Sequence, residues 1–199
     1  MERRNRGMGL TRPELSVLLS YSKIRLYSQL LESDIPEDPY FGEELKRYFP
    51  RQLREDYAEF MPSHRLRREL VATQVTNNLV NRMGVSFVMR MRDDTSATPA
   101  EVARAHAIAR ELFDGRDFWD RIEALDNKVD AELQTRALLE MWTLLRQATR
   151  WLANHPGHHL DVYGMVDRLK PGMQQIQKII TGHMSADEQA RVADIEQPY

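Results

Sequence analysis

Apolar residues recur at intervals of three or four along most of this chain, which is the spacing of one face of an α-helix. Residues 66–83 follow this spacing, and Gly84 stands where helices commonly end. The pattern predicts a helix over residues 64–83, about 30 Å long at about 1.5 Å per residue. A second stripe of leucine, alanine and methionine predicts a helix over residues 130–153, ended by the Pro-Gly pair at 156–157.

Shorter helices are predicted between the prolines and glycines of the remaining chain. They are YFGEELKRYF after Pro39, RQLREDYAEFM between Pro50 and Pro62, RDFWDRIEAL after Gly115, and GMQQIQKII opened by Pro171. The stretch VSFVMRMR, residues 85–92, alternates like a half-buried strand. Because no second strand is evident to pair with it, we predict a helix there too.

Helix starts carry their own signal, a Ser or Thr followed three residues later by Glu. This pattern occurs in Thr11 with Glu14, Thr98 with Glu101, and Ser185 with Glu188. Pro13 and Pro99 fall in first helical turns, where the missing N–H breaks no hydrogen bond. Such starts are hard to reconcile with a β protein. We predict an all-α fold, an irregular bundle of about eight to ten helices.

The first predicted helix, which begins within GLTRPELSVLLSYSKI, is apolar on nearly every side. One stripe consists of Leu15, Leu18, Leu19, Leu26 and Leu30, and apolar residues on other sides are Val17, Tyr21, Ile24, Tyr27 and Leu31. A helix with so little polar face is buried within a larger assembly. We expect it either to lie at the centre of the bundle or to pack against something outside these residues.

Composition and charge exclude several classes of function. There are no cysteines, so disulfides, thiolate metal sites and cysteine nucleophiles are excluded. The 28 basic and 30 acidic residues give a net charge of −2, without the positive excess typical of nucleic-acid binding. No apolar run approaches the roughly 18–20 residues of a membrane span, and no secretory signal follows MERRNRGMG. We expect a cytoplasmic protein that binds neither nucleic acid nor membrane.

Candidate active-site chemistry is sparse. GMG at residues 7–9 precedes a helix, but no strand leads into it and no third glycine follows, so the dinucleotide fingerprint is missing. HPGHH at residues 155–159 places three imidazoles on a Pro-Gly turn without an obvious fourth zinc ligand. We expect a polar loop there, and we predict no catalytic, cofactor-binding or metal-binding residue.

The segment NNLVNRMG, residues 77–84, is the most unusual polar stretch. Asn77, Asn78, Asn81 and Arg82 follow a well-formed apolar stripe, although asparagine is a mediocre helix former. One interpretation is an exposed helix surface. The other is a seam of hydrogen bonds to another domain or subunit. The sequence favours neither.

Six segments, in order, resemble the very large bacterial NAD-specific glutamate dehydrogenases. They are GLTRPELSVLLSYSKI, DPYFGEELKRYFP, HRLRRELVATQVTNNLVNRMG, TPAEVARAHAIARELFD, IEALDNKV and QATRWLANH. Together they cover about residues 9 to 155, and their combined specificity is high. The remaining C-terminal residues resemble the family only loosely.

The resemblance implies a parent enzyme that oxidises L-glutamate to 2-oxoglutarate and ammonia and passes a hydride to NAD. In that family the catalytic lysine and aspartate and the Rossmann unit lie upstream of the matched stretch, so no site residue is carried over. We therefore expect a piece of a longer chain. The ending DIEQPY agrees with this expectation, because its sequence predicts no obvious C-terminal element. The expected parts of the piece are a flexible lead-in at 1–9 and a single helical domain at 10–199, with 156–199 a looser helical tail.

The resemblance also implies a role. We expect this region to brace the catalytic domain of its own chain, to mediate contacts in a homo-oligomer, or to transmit effector signals. The first helix is expected to pack against both the catalytic core and the C-terminal helices. The isolated region is expected to be inactive and to hold no NAD. The competing interpretation is an independent helical protein–protein interaction module, which a start codon and promoter immediately before Met1 would favour.

Overall fold

The computed structural model describes residue 7, residues 9–154, residues 160–183 and residue 185. These residues contain nine α-helices and no strand, which confirms the predicted all-α bundle. The helices are α1 (Arg12–Leu31), α2 (Pro39–Tyr48), α3 (Arg51–Asp56), α4 (Arg67–Met83), α5 (Phe87–Thr95), α6 (Pro99–Leu112), α7 (Gly115–Ala124), α8 (Ala131–Ala153) and α9 (Val162–His183). Short 3₁₀ helices, Ile35–Glu37 and Ala58–Ser63, flank α2 and α3. In the alternating segment at 85–92, residues 87–92 are helical, as predicted, and residues 85–86 form the turn before α5.

Two of the predicted capping patterns form. The backbone N–H of Thr98 donates to the Glu101 carboxylate at 2.7 Å, and the Glu101 N–H returns a hydrogen bond to the Thr98 hydroxyl at 3.3 Å. At the start of α1 the Thr11 N–H and hydroxyl both donate to Glu14, at 2.7 and 2.6 Å. Each box satisfies backbone groups that the helix itself leaves without a partner. The third pattern includes Glu188, which lies outside the described residues.

The centre of the bundle is α6, not the first helix. It packs against α8 and α9 and touches α1, α4, α5 and α7. Five of its eleven buried residues are alanine, namely Ala100, Ala103, Ala105, Ala107 and Ala109, and the other six are Val102, Arg104, His106, Ile108, Arg110 and Leu112. Small residues let neighbouring helices approach closely on all sides, so one helix can serve as the axis of the bundle. The alternative that α1 is the central helix was wrong.

Three predicted helices differ from the structure. The helix predicted over RQLREDYAEFM, between Pro50 and Pro62, is interrupted at Tyr57 and forms α3 and the 3₁₀ helix Ala58–Ser63 instead. Helix α4 begins at Arg67, three residues after the predicted His64, because the imidazole Nδ1 of His64 accepts the Leu66 N–H at 3.1 Å and holds a turn there. Pro171 lies inside α9, whereas we predicted that it opens a separate helix. Proline removes one backbone donor, and Pro171 is exposed, so solvent can satisfy the carbonyl that loses its partner.

Candidate functional site

The first half of helix α1 extends away from the bundle and is exposed. Its second half is packed, with Leu26 7% and Leu30 0% exposed. The first half of α1, together with Leu10 just before it, carries a set of apolar side chains that are each between 41% and 68% exposed: Leu10, Leu15, Val17, Leu18, Leu19, Tyr21 and Ile24. We call these seven residues the α1 apolar surface. A contiguous exposed apolar set of this kind is typical of an interaction surface in a folded protein.

The polar residues within this surface do not make it hydrophilic. The hydroxyls of Ser16, Ser20 and Ser22 donate to backbone carbonyls one turn earlier, at 3.0, 2.9 and 2.8 Å. Each hydroxyl is thus satisfied within the helix and needs no partner from solvent or another chain. Residues 15–22 contain no charged side chain. The exposed part of α1 is therefore suited to burial against another apolar surface.

The four residues predicted as a possible contact seam lie on α4 and differ in their surroundings. The Asn78 amide donates to Glu44 on α2 at 3.4 Å. The Arg82 guanidinium lies 2.9 Å from the Glu123 carboxylate and 4.6 Å from the centre of the Trp119 ring, both on α7. Asn77 is half-buried and Asn81 is exposed. Asn78 and Arg82 thus make contacts within this chain, while Asn81 faces outward.

A buried ionic network joins α2 to α6 and α7, and the sequence did not reveal it. It consists of Tyr40, Glu44, Arg110, Glu111 and Arg116. Arg110 Nη2 donates to Glu44 Oε1 at 2.9 Å and to the Tyr40 hydroxyl at 2.6 Å, and Arg116 Nη2 donates to the same Glu44 oxygen. The Tyr40 hydroxyl in turn donates to Glu111 at 2.5 Å. Two arginines and two glutamates balance in charge, which allows them to be buried together.

The network shifts the pKa values of its members. Burial raises the pKa of Tyr40, so its hydroxyl stays protonated and donates to Glu111. Burial also acts to raise the pKa of Glu111, but the Tyr40 hydrogen bond and the charges of Arg110 and Arg116 outweigh it and lower that pKa overall. The result is an ionised carboxylate held by three donors. Such an arrangement stabilises the fold, since both oppositely charged groups and a hydroxyl hold the carboxylate.

His106, on α6, lies beside this network and is 3% exposed. Burial, together with the positive charges of Arg110 and Arg116, lowers its pKa from 6.5 to about 3. Its ring packs edge-on against Phe87, with centroids 5.9 Å apart, and its Nε2 has no hydrogen-bond partner. The imidazole is therefore neutral and serves as a core side chain.

Neither a metal-binding cluster nor a membrane-spanning helix is present in the part of the chain that the structure describes. No group of three or more His, Asp or Glu side chains there is arranged to hold a metal ion. The predicted polar loop at 155–159 lies outside the described residues. No described helix combines the length and the apolar character that crossing a membrane requires.

The known proteins to which this chain is similar share one name. Residues 7–199 match the family model described as "Glutamate dehydrogenase, C-terminal". The NAD-specific glutamate dehydrogenase of Halomonas elongata is 43% identical over 190 residues, which is 95% of this chain and 12% of that protein. Its counterpart in Pseudomonas aeruginosa is 44% identical over 160 residues, 80% of this chain and 10% of that protein.

A more distant relative agrees with these matches. The NAD-specific glutamate dehydrogenase of Mycobacterium tuberculosis is 31% identical over 186 residues, 94% of this chain and 11% of that protein. The chain thus spans about a tenth of the length of the curated relatives it matches. The family model also includes the C-terminal residues, for which the sequence showed only a loose resemblance.

Proposed function

Because the chain belongs to the glutamate dehydrogenase family, as its C-terminal domain, we propose that it is a non-catalytic helical domain that braces the catalytic part of an NAD-dependent glutamate dehydrogenase. The parent reaction converts L-glutamate, NAD and water to 2-oxoglutarate, ammonia and NADH. The exposed α1 apolar surface is the observation that carries this proposal.

The occupant of the α1 apolar surface is, in this proposal, the catalytic part of the same polypeptide. Relatives are roughly ten times longer than the stretch matched here, so most of each relative is available to pack against it. Helix α1 is the first described helix, and its exposed half is the end nearer to any preceding chain. Burial of apolar side chains contributes about 25 cal/mol per Å², so seven half-exposed residues are a substantial docking surface.

The chemistry of the parent enzyme lies outside residues 1–199 in this proposal. Dinucleotides are held where a parallel strand meets a glycine-rich turn and a helix N-terminus. The described residues form helices, and their buried charged side chains are paired: Glu44 with Arg110 in the ionic network, and Arg104 with Asp34 and Asp38. These residues therefore do not fit NAD, and we assign them a structural role.

The test is glutamate-dependent formation of NADH, followed by absorbance. The purified 199-residue chain is expected to form none. In the longer polypeptide, Leu18→Glu combined with Tyr21→Glu should reduce activity at least about tenfold, since misplacing a catalytic part by about 1 Å can cost about a hundredfold. In the 199-residue chain the same pair should leave the circular dichroism spectrum and Tm unchanged, because both side chains are exposed there.

Leu139→Glu is the matched control, because Leu139 is a 57% exposed leucine on α8, away from the α1 apolar surface. It should leave the activity of the longer polypeptide unchanged. NADH formation by the 199-residue chain would disprove the non-catalytic role. Full activity of the Leu18→Glu, Tyr21→Glu enzyme would disprove the bracing role of α1.

A further inference from the structure

Helix α9 carries an apolar stripe that continues past the end of the bundle. The stripe has the alternating spacing of four and three residues found in coiled-coil seams: Val162, Val166, Leu169, Met173, Ile176 and Ile180. Its first part is packed, with Val162 1% exposed and the next three residues in contact with the core. Ile176 and Ile180 are 51% and 59% exposed. The seam therefore begins as an internal interface, and its second part has no partner helix among the residues that the structure describes.

The unpartnered part of the stripe forms one wall of a groove. The groove has a volume of about 640 Å³ and lies between α9 and the segment joining α6 to α7. Its apolar lining is Leu112, Phe113, Phe118, Met173, Ile176 and Ile180. Its charged lining includes Lys170 with Asp114, 2.8 Å apart, and the acidic and basic residues there balance. The groove is thus an apolar channel with a neutral rim.

We infer that this groove is occupied by α9 of a second copy of the chain, each copy placing its Ile176 and Ile180 in the groove of the other. The stripe projects from the helix and can enter such a groove, and it also forms one wall of the groove in its own chain. The same surface can therefore contact its counterpart in a second copy, as a symmetric interface requires. The seam is continuous with the interface that α9 already makes within its own bundle. This inference does not rest on the proposed function, because it concerns a different helix.

The charges of α9 are compatible with self-association and do not favour binding to a membrane surface. Lys178 is the only charged residue between Pro171 and Gly182, and it lies on the side of the helix opposite the stripe. Two copies can therefore meet along the stripe without like charges facing each other. Helices that bind membrane surfaces instead carry a polar face rich in Lys and Arg, whereas here that face is mostly Gln and Thr.

The first test is the molar mass of the 199-residue chain by light scattering, between about 1 and 100 μM, where weak interfaces change from monomer to dimer. The wild-type chain should shift towards a dimer as its concentration rises. Ile176→Glu with Ile180→Glu should raise the dimer Kd at least about tenfold, because each introduced carboxylate would be buried without a partner. Circular dichroism and Tm should stay unchanged, because both positions are exposed in the single chain.

Two matched controls locate the interface. Leu139→Glu and Tyr21→Glu place the same charge on exposed apolar residues of α8 and α1 and should leave the dimer Kd unchanged. A wild-type chain that stays monomeric throughout this range overturns the inference. So does a dimer that Tyr21→Glu dissociates and the α9 pair does not, because the α1 apolar surface would then be the self-contact.

A cysteine reporter distinguishes a second copy from an occupant within the same chain. The natural chain has no cysteine, so Ile180→Cys provides a single thiol and Lys178→Cys a control on the opposite side of α9. Maleimide should modify Ile180→Cys at least about tenfold more slowly in the dimer than in the monomer, whereas Lys178→Cys should react alike in both. Protection of Ile180→Cys at every concentration would mean that its own chain fills the groove, which overturns the inference.

Discussion

Arg110 on α6 and Glu44 on α2 form an ion pair with a 2.9 Å Nη2–Oε1 distance, and their side chains are only 3% and 5% exposed. The same Glu44 oxygen accepts from Arg116 on α7, so one carboxylate joins three helices. Breaking such a pair from one side leaves a buried charge without compensation, which is far more unfavourable than losing an exposed pair. Glu44 is thus the residue on which the packing of α2 against α6 and α7 depends.

Glu44→Gln should lower the free energy of unfolding by about 3–5 kcal/mol, because both arginines would keep their charge without this carboxylate. The measurement is urea unfolding followed by circular dichroism at neutral pH. Glu43→Gln is the matched control, since the neighbouring Glu43 pairs with Lys46 at 2.8 Å with its side chain 58% exposed. That change should be within about 1 kcal/mol of wild type. Equal effects of the two changes would contradict the assigned role of Glu44.

The free energy of unfolding should decrease as the pH falls, because of the protonation of His106. The folded chain holds this imidazole neutral down to a pKa of about 3, whereas the unfolded chain protonates it near 6.5. Between these values the unfolded state binds the additional proton, so stability is full above pH 6.5 and is lost as pH falls. The slope approaches about 1.4 kcal/mol per pH unit.

His106→Leu removes this titrating group, and it should remove that part of the pH dependence. The measurement is urea unfolding of both proteins at several values between pH 7 and pH 4. The slope of the variant should be smaller than that of wild type by up to about 1.4 kcal/mol per pH unit. Parallel slopes would contradict the lowered pKa, because they would show that the folded and unfolded chains protonate His106 over the same pH range.

Two leucines of α1 should differ sharply in their contribution to stability. Leu30 is 0% exposed and Leu18 is 50% exposed, on the same helix. Leu30→Ala should lower the free energy of unfolding by about 2–5 kcal/mol, because it leaves a cavity in the core. Leu18→Ala, the matched control, should cost less than about 1 kcal/mol in the 199-residue chain. A large effect at Leu18 would mean that the first half of α1 is packed in this chain.

Arg82 should contribute to stability from the surface. It pairs with Glu123 and lies over the Trp119 ring, so Arg82→Ala should lower the free energy of unfolding by about 1 kcal/mol. Asn81→Ala is the control one residue away, on an exposed side chain, and should have a smaller effect. Light scattering of both variants tests the separate proposal that this segment contacts another subunit. A change in molar mass for Asn81→Ala would support that proposal.

Helix positions were largely predictable because their signals are local. The Thr98–Glu101 box and the leucine stripe of α8 each depend on residues within a few turns, and both elements formed where predicted. The exact start of α4 was not predictable, because it depends on how the His64 side chain turns back to the Leu66 amide. The prediction that Pro171 opens a separate helix was wrong for a related reason, since a proline can remain within an exposed helix that packing already holds in place.

The candidate sites were less predictable, because they depend on which elements meet. Tyr40 and Glu44 lie about seventy residues from Arg110 in sequence, and nothing near either segment signals the network. Asn78 was singled out from the sequence, but its partner, Glu44, was not.

The sequence by itself determined that this chain forms helices and where most of them begin and end, because spacing and capping act over a few residues. The resemblance to a family came separately, from the similarity of six segments. Only the tertiary structure decided that the alanine-rich α6 is the axis of the bundle and that leucine-rich α1 is half outside it. The physical reason is that periodicity identifies an apolar face but not its partner. Burial of that face depends on how closely other helices approach, and small side chains on α6 allow the closer approach.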